Sequence, residues 1–148
     1  MRRIIFLLIS IPLISLSQKT YVPDNNFENY LEANGMGDGI ALNDSVTTAN
    51  INTVSSLICV MLNISDLTGI EGFTALSELY CPFNQLTFLD LSNNLSLLVL
   101  SADNNPINCI QVPLGSVGYF QTSNTVVVDP GVSFFSNNFP PDSITACD

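Results

Sequence analysis

The sequence predicts a solenoid, mostly β with one short helix, in which parallel strands stack coil on coil between an N-terminal and a C-terminal cap. Three observations predict it. One spacing recurs four times between Leu76 and Val112: apolar, two others, apolar, one other, apolar, two others, Asn. Leu76, Leu79, Cys81 and Asn84 set this frame, and Leu86, Leu89, Leu91 and Asn94 repeat it ten residues on. Leu97, Leu100, Ala102 and Asn105 follow eleven further, and Ile107, Ile110 and Val112 start a fourth copy, so the true period is 21. At a spacing of 22 upstream, Val54, Leu57, Cys59, Leu62 and Ile64 fit the same frame, with Leu67 in the place of Leu89 and Leu62 where Asn is expected. Finally, helix signals precede this block and a non-repeating apolar tail follows it.

Alternation at Leu79 and Cys81 is strand-like, so these side chains point inward while Glu78 and Tyr80 point out. A single coil cannot bury its apolar edge, and neighbouring coils supply the stability. Asn84, Asn94 and Asn105 are expected to form a ladder, their amides bonding backbone groups that each bend would leave unpaired. The pattern resembles the leucine-rich repeat, L-x-x-L-x-L-x-x-N/C-x-L at a period of about 20 to 29 residues. The nested stretch "LSELYCPFNQLTFLDLSNN" is similar to the short bacterial class in which both halves of a 21-residue turn carry the pattern. The stretches "TYVPDNNFENYLEANGMGDG" and "LTGIEGFTAL" resemble the N-terminal region of secreted leucine-rich repeat proteins of the Bacteroidetes type. That resemblance covers about residues 20 to 113.

In chain order, residues 1–17 read as a signal peptide. Arg2 and Arg3 precede an apolar run from Ile4 to Leu16, and Ser15 and Ser17 offer a cleavage site before Gln18. The run is short and broken by Ser10 and Pro12, which argues against a membrane span, and none is expected after cleavage. Cleavage leaves Lys19 as the one basic residue against 13 carboxylates. So acidic a chain repels phosphate backbones, which excludes nucleic acid as a partner and disfavours anionic membranes. A secreted or cell-surface monomer is expected, its acidity serving solubility.

Residues 18–53 read as the N-terminal cap. Asn25 can cap a helix of about nine residues, with Glu28 closing a capping box. Phe27, Tyr30 and Leu31 share one face of it, and Gly35 ends it. Asp38, Asn43 and Asp44 lie in the loop that follows, but "MGDGIALNDSVTT" lacks the order of a calcium loop. That loop reads as a solvated turn, and no metal or other cofactor is expected.

The repeats span residues 54–113, and their first coil has apolar outward positions. Ile58, Val60 and Met61 occupy the places held by Tyr80, Pro82 and Phe83 in the next coil and by Ser101, Asp103 and Asn104 in the one after. Exposed apolar patches of this kind mark contact with something. Ile58, Val60, Met61, Tyr80 and Phe83 are therefore the candidate ligand-binding residues, rimmed by Glu78 and Asp103. The alternative is that the N-terminal cap folds across the patch.

Cys59 and Cys81 share one inward site, where Leu91 and Ala102 stand in other copies, and read as small buried hydrophobes. Bridging them across adjacent parallel strands would strain the geometry a disulfide needs. Cys109 falls at the position of Phe88, outside that column, and Cys147 is its natural partner in a secreted chain. After Val112, Pro113, Gly115 and Gly118 break the pattern, and residues 114–148 read as the C-terminal cap. There "TVVVD" at 125–129 is a strand candidate, Pro130 and Gly131 a turn, and "VSFFSNNF" an apolar run able to cover the last coil.

The chain has no His, which removes the usual general base, the Ser-His and Cys-His pairs and the commonest metal ligand. No phosphate-binding or dinucleotide Gly fingerprint is present. Carboxylate pairs such as Glu78 with Asp103 or Asp90 leave a glycosidase as the residual enzymatic option, but any acidic surface offers such pairs. The expectation is a non-enzymatic binding module for a protein, a basic surface being the kind that suits the acidic rim, with a glycan as the second ligand class. A structural or adhesive repeat fragment without a dedicated ligand is the competing class.

Overall fold

Leu57, Leu79 and Leu100 stand in one buried column, because each is the central residue of a short strand and the three strands pair in register. The structure, a computed structural model, describes residues 17–136. The predicted signal segment up to Leu16 and the expected disulfide partner Cys147 lie outside the described residues.

Strand β1 (Lys19–Tyr21) leads to helix α1 (Asn25–Ala33), and β2 (Ser45–Thr47) returns to pair with β1 antiparallel before a one-turn helix α2 (Thr48–Ile51). Strand β3 (Ser56–Ile58) opens the repeats, and a 3-10 turn at Ile70–Gly72 precedes β4 (Glu78–Tyr80). The chain then makes β5 (Phe88–Asp90), β6 (Val99–Ser101) and β7 (Cys109–Gln111), helix α3 (Val117–Thr122), β8 (Val126–Val127) and β9 (Ser133–Phe135). Two parallel sheets result, with neighbour orders β3-β4-β6-β8 and β5-β7-β9. The chain crosses from one to the other every half period, which is the spatial form of the 10 and 11 split.

Between the sheets lies a single core built from the predicted inward residues of every copy, Cys59, Cys81 and Ala102 included. Leu89 pairs with Ile110 as the frame requires, while Leu67 is buried outside any strand. Stacking also runs on past Val112: β8 adds to β6 and β9 to β7, both parallel. The spacing there is not 21, because α3 lengthens the connection, and a fixed period cannot show the continuation. Within the "VSFFSNNF" run, Ser133–Phe135 form a strand that pairs with β7.

The helix matches its expected length, but its cap differs. Asp24, not Asn25, is the N-cap, and its Oδ1 accepts from the Asn26 and Phe27 amides at 2.9 and 3.0 Å. Its other oxygen takes the Ser65 amide and hydroxyl, both at 2.8 Å, and so ties the helix to the first repeat. Glu28 closes no capping box: it is fully buried and accepts the Asn43 and Asp44 amides at 2.9 and 3.2 Å. A carboxylate needed by the loop 15 residues away is lost to the local motif. Where the second half of the first coil meets β1, Gly69 has φ +106°, and a Cβ there would lie 2.7 Å from Val22 and 2.8 Å from the Tyr21 carbonyl. Glycine is required by both contacts.

The Asp38 loop is organised by a side chain of this chain. Lys19 Nζ lies 2.6 Å from Asp38 Oδ2, which also accepts from Asn43 and Ser45. The Lys19 ammonium outweighs partial burial and, with the Asn43, Ile40 and Ser45 donors, holds the Asp38 carboxyl well below the usual carboxylate range. Burial alone would raise the Asp24 carboxyl, but donors from Ser65, Phe27 and Asn26 outweigh it and lower it. Groups depressed in the fold contribute stability above their unfolded value, about 3.9, that is lost as pH falls through the folded values. Urea midpoints are therefore expected to hold between pH 7 and 5 and to drop below about pH 4, with a smaller acid drop in Lys19→Met. An equal acid drop in that variant would show that the Lys19 pair does not contribute.

Candidate functional site

The candidate face is the outer side of the β3-β4-β6-β8 sheet and the turns that follow its strands. Leu57 and Cys59 are buried while Ile58 between them is 58% exposed, so strand alternation sets the face as expected. Met61 is 64% and Phe83 49% exposed, whereas Val60 and Tyr80 are half-buried. The five residues gather on one side, since Ile58 pairs with Tyr80 and the Met61 amide donates to the Pro82 carbonyl beside Phe83. Ser101 and Val127 continue the Tyr80 row.

The N-terminal segment approaches this face without covering it. Tyr30 of α1 reaches the edge strand: its hydroxyl bonds the Ile58 backbone, and burial raises its pKa, helped by Cys59 and opposed by that bond. An otherwise open strand edge is thereby blunted. Asn26 Nδ2 similarly meets the Asn63 carbonyl at 2.9 Å.

Each turn is held by an Asn of the expected ladder. Asn84 Nδ2 donates to the Cys59 and Cys81 carbonyls at 2.7 and 3.0 Å, and its Oδ1 accepts from the Leu62 and Ile64 amides at 3.1 and 3.0 Å. Asn105 does the same one coil on, with Cys81, Ala102 and the Leu86 amide. In the other half-turn Asn94 donates to Ile70 and Phe73, but its buried Oδ1 meets no partner among the described residues. The Leu76 amide that follows Phe73 donates instead to the Phe73 carbonyl. Asp129 adds a member that sequence reasoning missed, its carboxylate accepting the Asn105 amide at 3.1 Å.

In the turns after β3, β4 and β6 the same position has a left-handed backbone: φ is +58° at Met61, +57° at Phe83 and +58° at Asn104, before Leu62, Asn84 and Asn105. Asn tolerates this region, whereas larger side chains there cost about 1–2 kcal/mol. The Phe83 amide donates to the Asp103 carbonyl at 3.1 Å, so coil-to-coil bonds hold the turn in place. No sequence pattern points to this backbone, because Met and Phe are not turn formers.

The rim is acidic and anchored by neutral donors. Ser56 Oγ meets Glu78 Oε2 at 3.1 Å, and Asp103 accepts from Ser101 Oγ and Asn104 Nδ2 at 3.0 and 2.7 Å. Lys19, the one basic side chain among the described residues, is engaged with Asp38. Of the carboxylate pairs considered, Glu78 and Asp103 flank one face, but Asp90 lies in β5 of the other sheet. A separate cleft of about 320 Å³ opens there, between Asp66, Glu71, Phe88 and Asp90. Leu95, Leu98 and Leu114 are further exposed apolar residues that the reading of the face did not include. Among the described residues no cluster of His, Cys, Asp or Glu could hold a metal, and no helix is long and apolar enough to cross a membrane.

Cys59 and Cys81 are free and buried, in one column that continues to Ala102. Burial pushes the Cys59 thiol up to about 12, and burial, Cys59 and Asp103 together raise Cys81 well above its ordinary value. Neither is a nucleophile at neutral pH. Cys109 is buried in β7 opposite Phe88 and is not free.

These stacked strands, the Asn turns and the paired cysteine positions are what comparison with known proteins tests. The chain is similar to Internalin J. It is 36% identical to that protein of Listeria monocytogenes serotype 4b (strain F2365) over 74 residues, half of this chain and 8% of Internalin J. The solved functional domain of InlJ from Listeria monocytogenes, described as including a cysteine ladder, matches 84% of this chain and 26% of that domain. The TM-score is 0.56 and the identity 26%. No family model matches. The likeness to Internalin J, with the repeat and its parallel sheets, supports the leucine-rich repeat assignment, and the chain spans a small part of that relative's length.

Proposed function

We propose that this chain is a secreted or cell-surface, non-enzymatic binding module, a leucine-rich repeat solenoid of the short nested class with caps at both ends. A protein is the first ligand class and a glycan the second. One observation carries the reading: Ile58, Met61 and Phe83 stay exposed on the face that Tyr80 also joins, although the chain buries the alternate residues completely. Large apolar groups left open side by side on a folded surface are a contact surface. Similarity to Internalin J of Listeria monocytogenes supports a surface or secreted setting. The Bacteroidetes type rests on the N-terminal stretches alone.

Interfaces draw much of their energy from a few desolvated aromatic anchors, while rim charges set encounter rate and salt sensitivity. Tyr80→Ala is expected to weaken binding of a captured partner by about 1–3 kcal/mol with the fold unchanged, and Asp103→Asn to slow association at low salt. Pull-down with the mature chain beside a Tyr80→Asp, Phe83→Asp variant checks this. Equal capture by both would remove the face from the function. The Cys109–Cys147 bridge is part of the same reading, closing a 38-residue loop and contributing about 4 kcal/mol in the chain-entropy model. Peptide mapping of unreduced protein should recover the two cysteines in one linked fragment; two separate thiol peptides would refute the bridge.

A further inference from the structure

Three successive coils place a residue at the same left-handed turn position, and they fill it differently. Asn104 is the residue type that this backbone favours, whereas Met61 and Phe83 are not. Both are also largely exposed, so burial does not offset their backbone strain. Folding alone gives no reason for a thioether and an aromatic ring where Asn serves in the next coil. Strain of this kind clusters at sites whose side chains are required for contact, and here, unlike at the isolated Leu42 of the Asp38 loop, it recurs at one position in two neighbouring coils.

We propose that Met61 and Phe83 are the specificity-determining anchors for a polypeptide segment of a partner protein in which an apolar side chain stands beside a lysine or arginine. This rests on the binding reading above and adds which residues choose the partner and what the partner carries. The two positions belong to neighbouring coils, spaced as paired strands are, at about 4.8 Å. An adaptable Met beside a rigid ring gives an apolar seat for one side chain.

The charge follows from the rim. Glu78 and Asp103 are held by Ser56, Ser101 and Asn104, all neutral donors, and retain lone pairs for a cation. No basic side chain among the described residues competes, since Lys19 is bound to Asp38. An ammonium or guanidinium next to the seated apolar group would complete Asp103, which lies beside the Phe83 turn, while Glu78 at the start of β4 adds a more distant negative charge; charge-assisted bonds of this type are the strong ones. An acidic segment would meet repulsion instead.

The test uses the full mature chain and the Met61→Asn, Phe83→Asn double variant, in which the Asn of the third coil replaces both anchors. Thermal melting comes first and needs no partner: the double variant should melt higher, by about 4 °C. A lower melting temperature would show that Met61 and Phe83 serve the fold, and would overturn the proposal. A library of random linear peptides is then selected on the native chain. Enriched peptides should pair an apolar residue with Lys or Arg, lose affinity as salt rises, and bind the double variant roughly ten-fold or more weakly. If enriched peptides lack basic residues, or none is enriched, the partner class is refuted. If Tyr80→Ala weakens the selected peptides and the double variant does not, the anchor assignment falls while the binding face stands. If neither variant weakens them, both fall.

Discussion

Asn84→Ala is expected to cost about 3 kcal/mol or more, because each buried donor or acceptor left without a partner costs roughly 1–3 kcal/mol. Truncation strands three backbone groups at once, the Cys59 carbonyl and the Leu62 and Ile64 amides, while the Cys81 carbonyl keeps its bond from Asn105. All three belong to the coil before that of Asn84, so the loss falls on the interface between repeats as well as on the turn. Asn94→Ala provides the internal control. Its amide serves two carbonyls and its Oδ1 serves none, so it should cost distinctly less. Urea unfolding of the two variants, side by side, measures the difference. Equal losses would mean that the ladder's strength does not lie in these hydrogen bonds.

Leu79→Ala should cost about 2–5 kcal/mol, and the upper half of that range is expected. Leu79 is fully buried and paired with Leu57 on one side and Leu100 on the other, so the cavity has packed walls. Collapse around it would require shifting strands whose positions their neighbours fix. In a repeat stack each unit is stabilised by adjacent interfaces, and a lesson of this size in the central coil weakens two of them. A melting temperature unchanged from that of the native chain would refute the register. Cys81→Ala, two residues on, removes one sulfur from the same layer and should cost much less.

The apolar face and the ladder differ in how they could be read. Asn84, Asn94 and Asn105 were legible because their role is local and repeats at a fixed offset from the buried Leu. Ile58 was legible as outward, since alternation in a strand settles which side a residue takes. The left-handed turns at Met61 and Phe83 were not, because nothing about either side chain signals positive φ. Sequence logic assigned Glu28 to the nearest motif, and Asp24 was passed over because Asn25 satisfies the same local rule. Which of two adjacent capping residues turns toward the first repeat depends on Ser65, some forty positions away.

The repeat frame, its 21-residue period, the inward columns, the Asn ladder and a nine-residue helix before the repeats were all legible from the residues alone. Each of these follows from side-chain periodicity, which needs no knowledge of distant contacts. Contacts between distant segments were needed to show that β8 and β9 extend both sheets, that Lys19 secures the Asp38 loop, and that the N-terminal segment leaves the face open. Those outcomes depend on pairings between residues without a common period: a helix inserted between strands hides their spacing, and an ion pair across 19 residues has no local trace. Exposure of Phe83 is of the same kind, because whether α1 reaches only the Ile58 edge or crosses the sheet is fixed by where Asp24 and Asn26 fasten it.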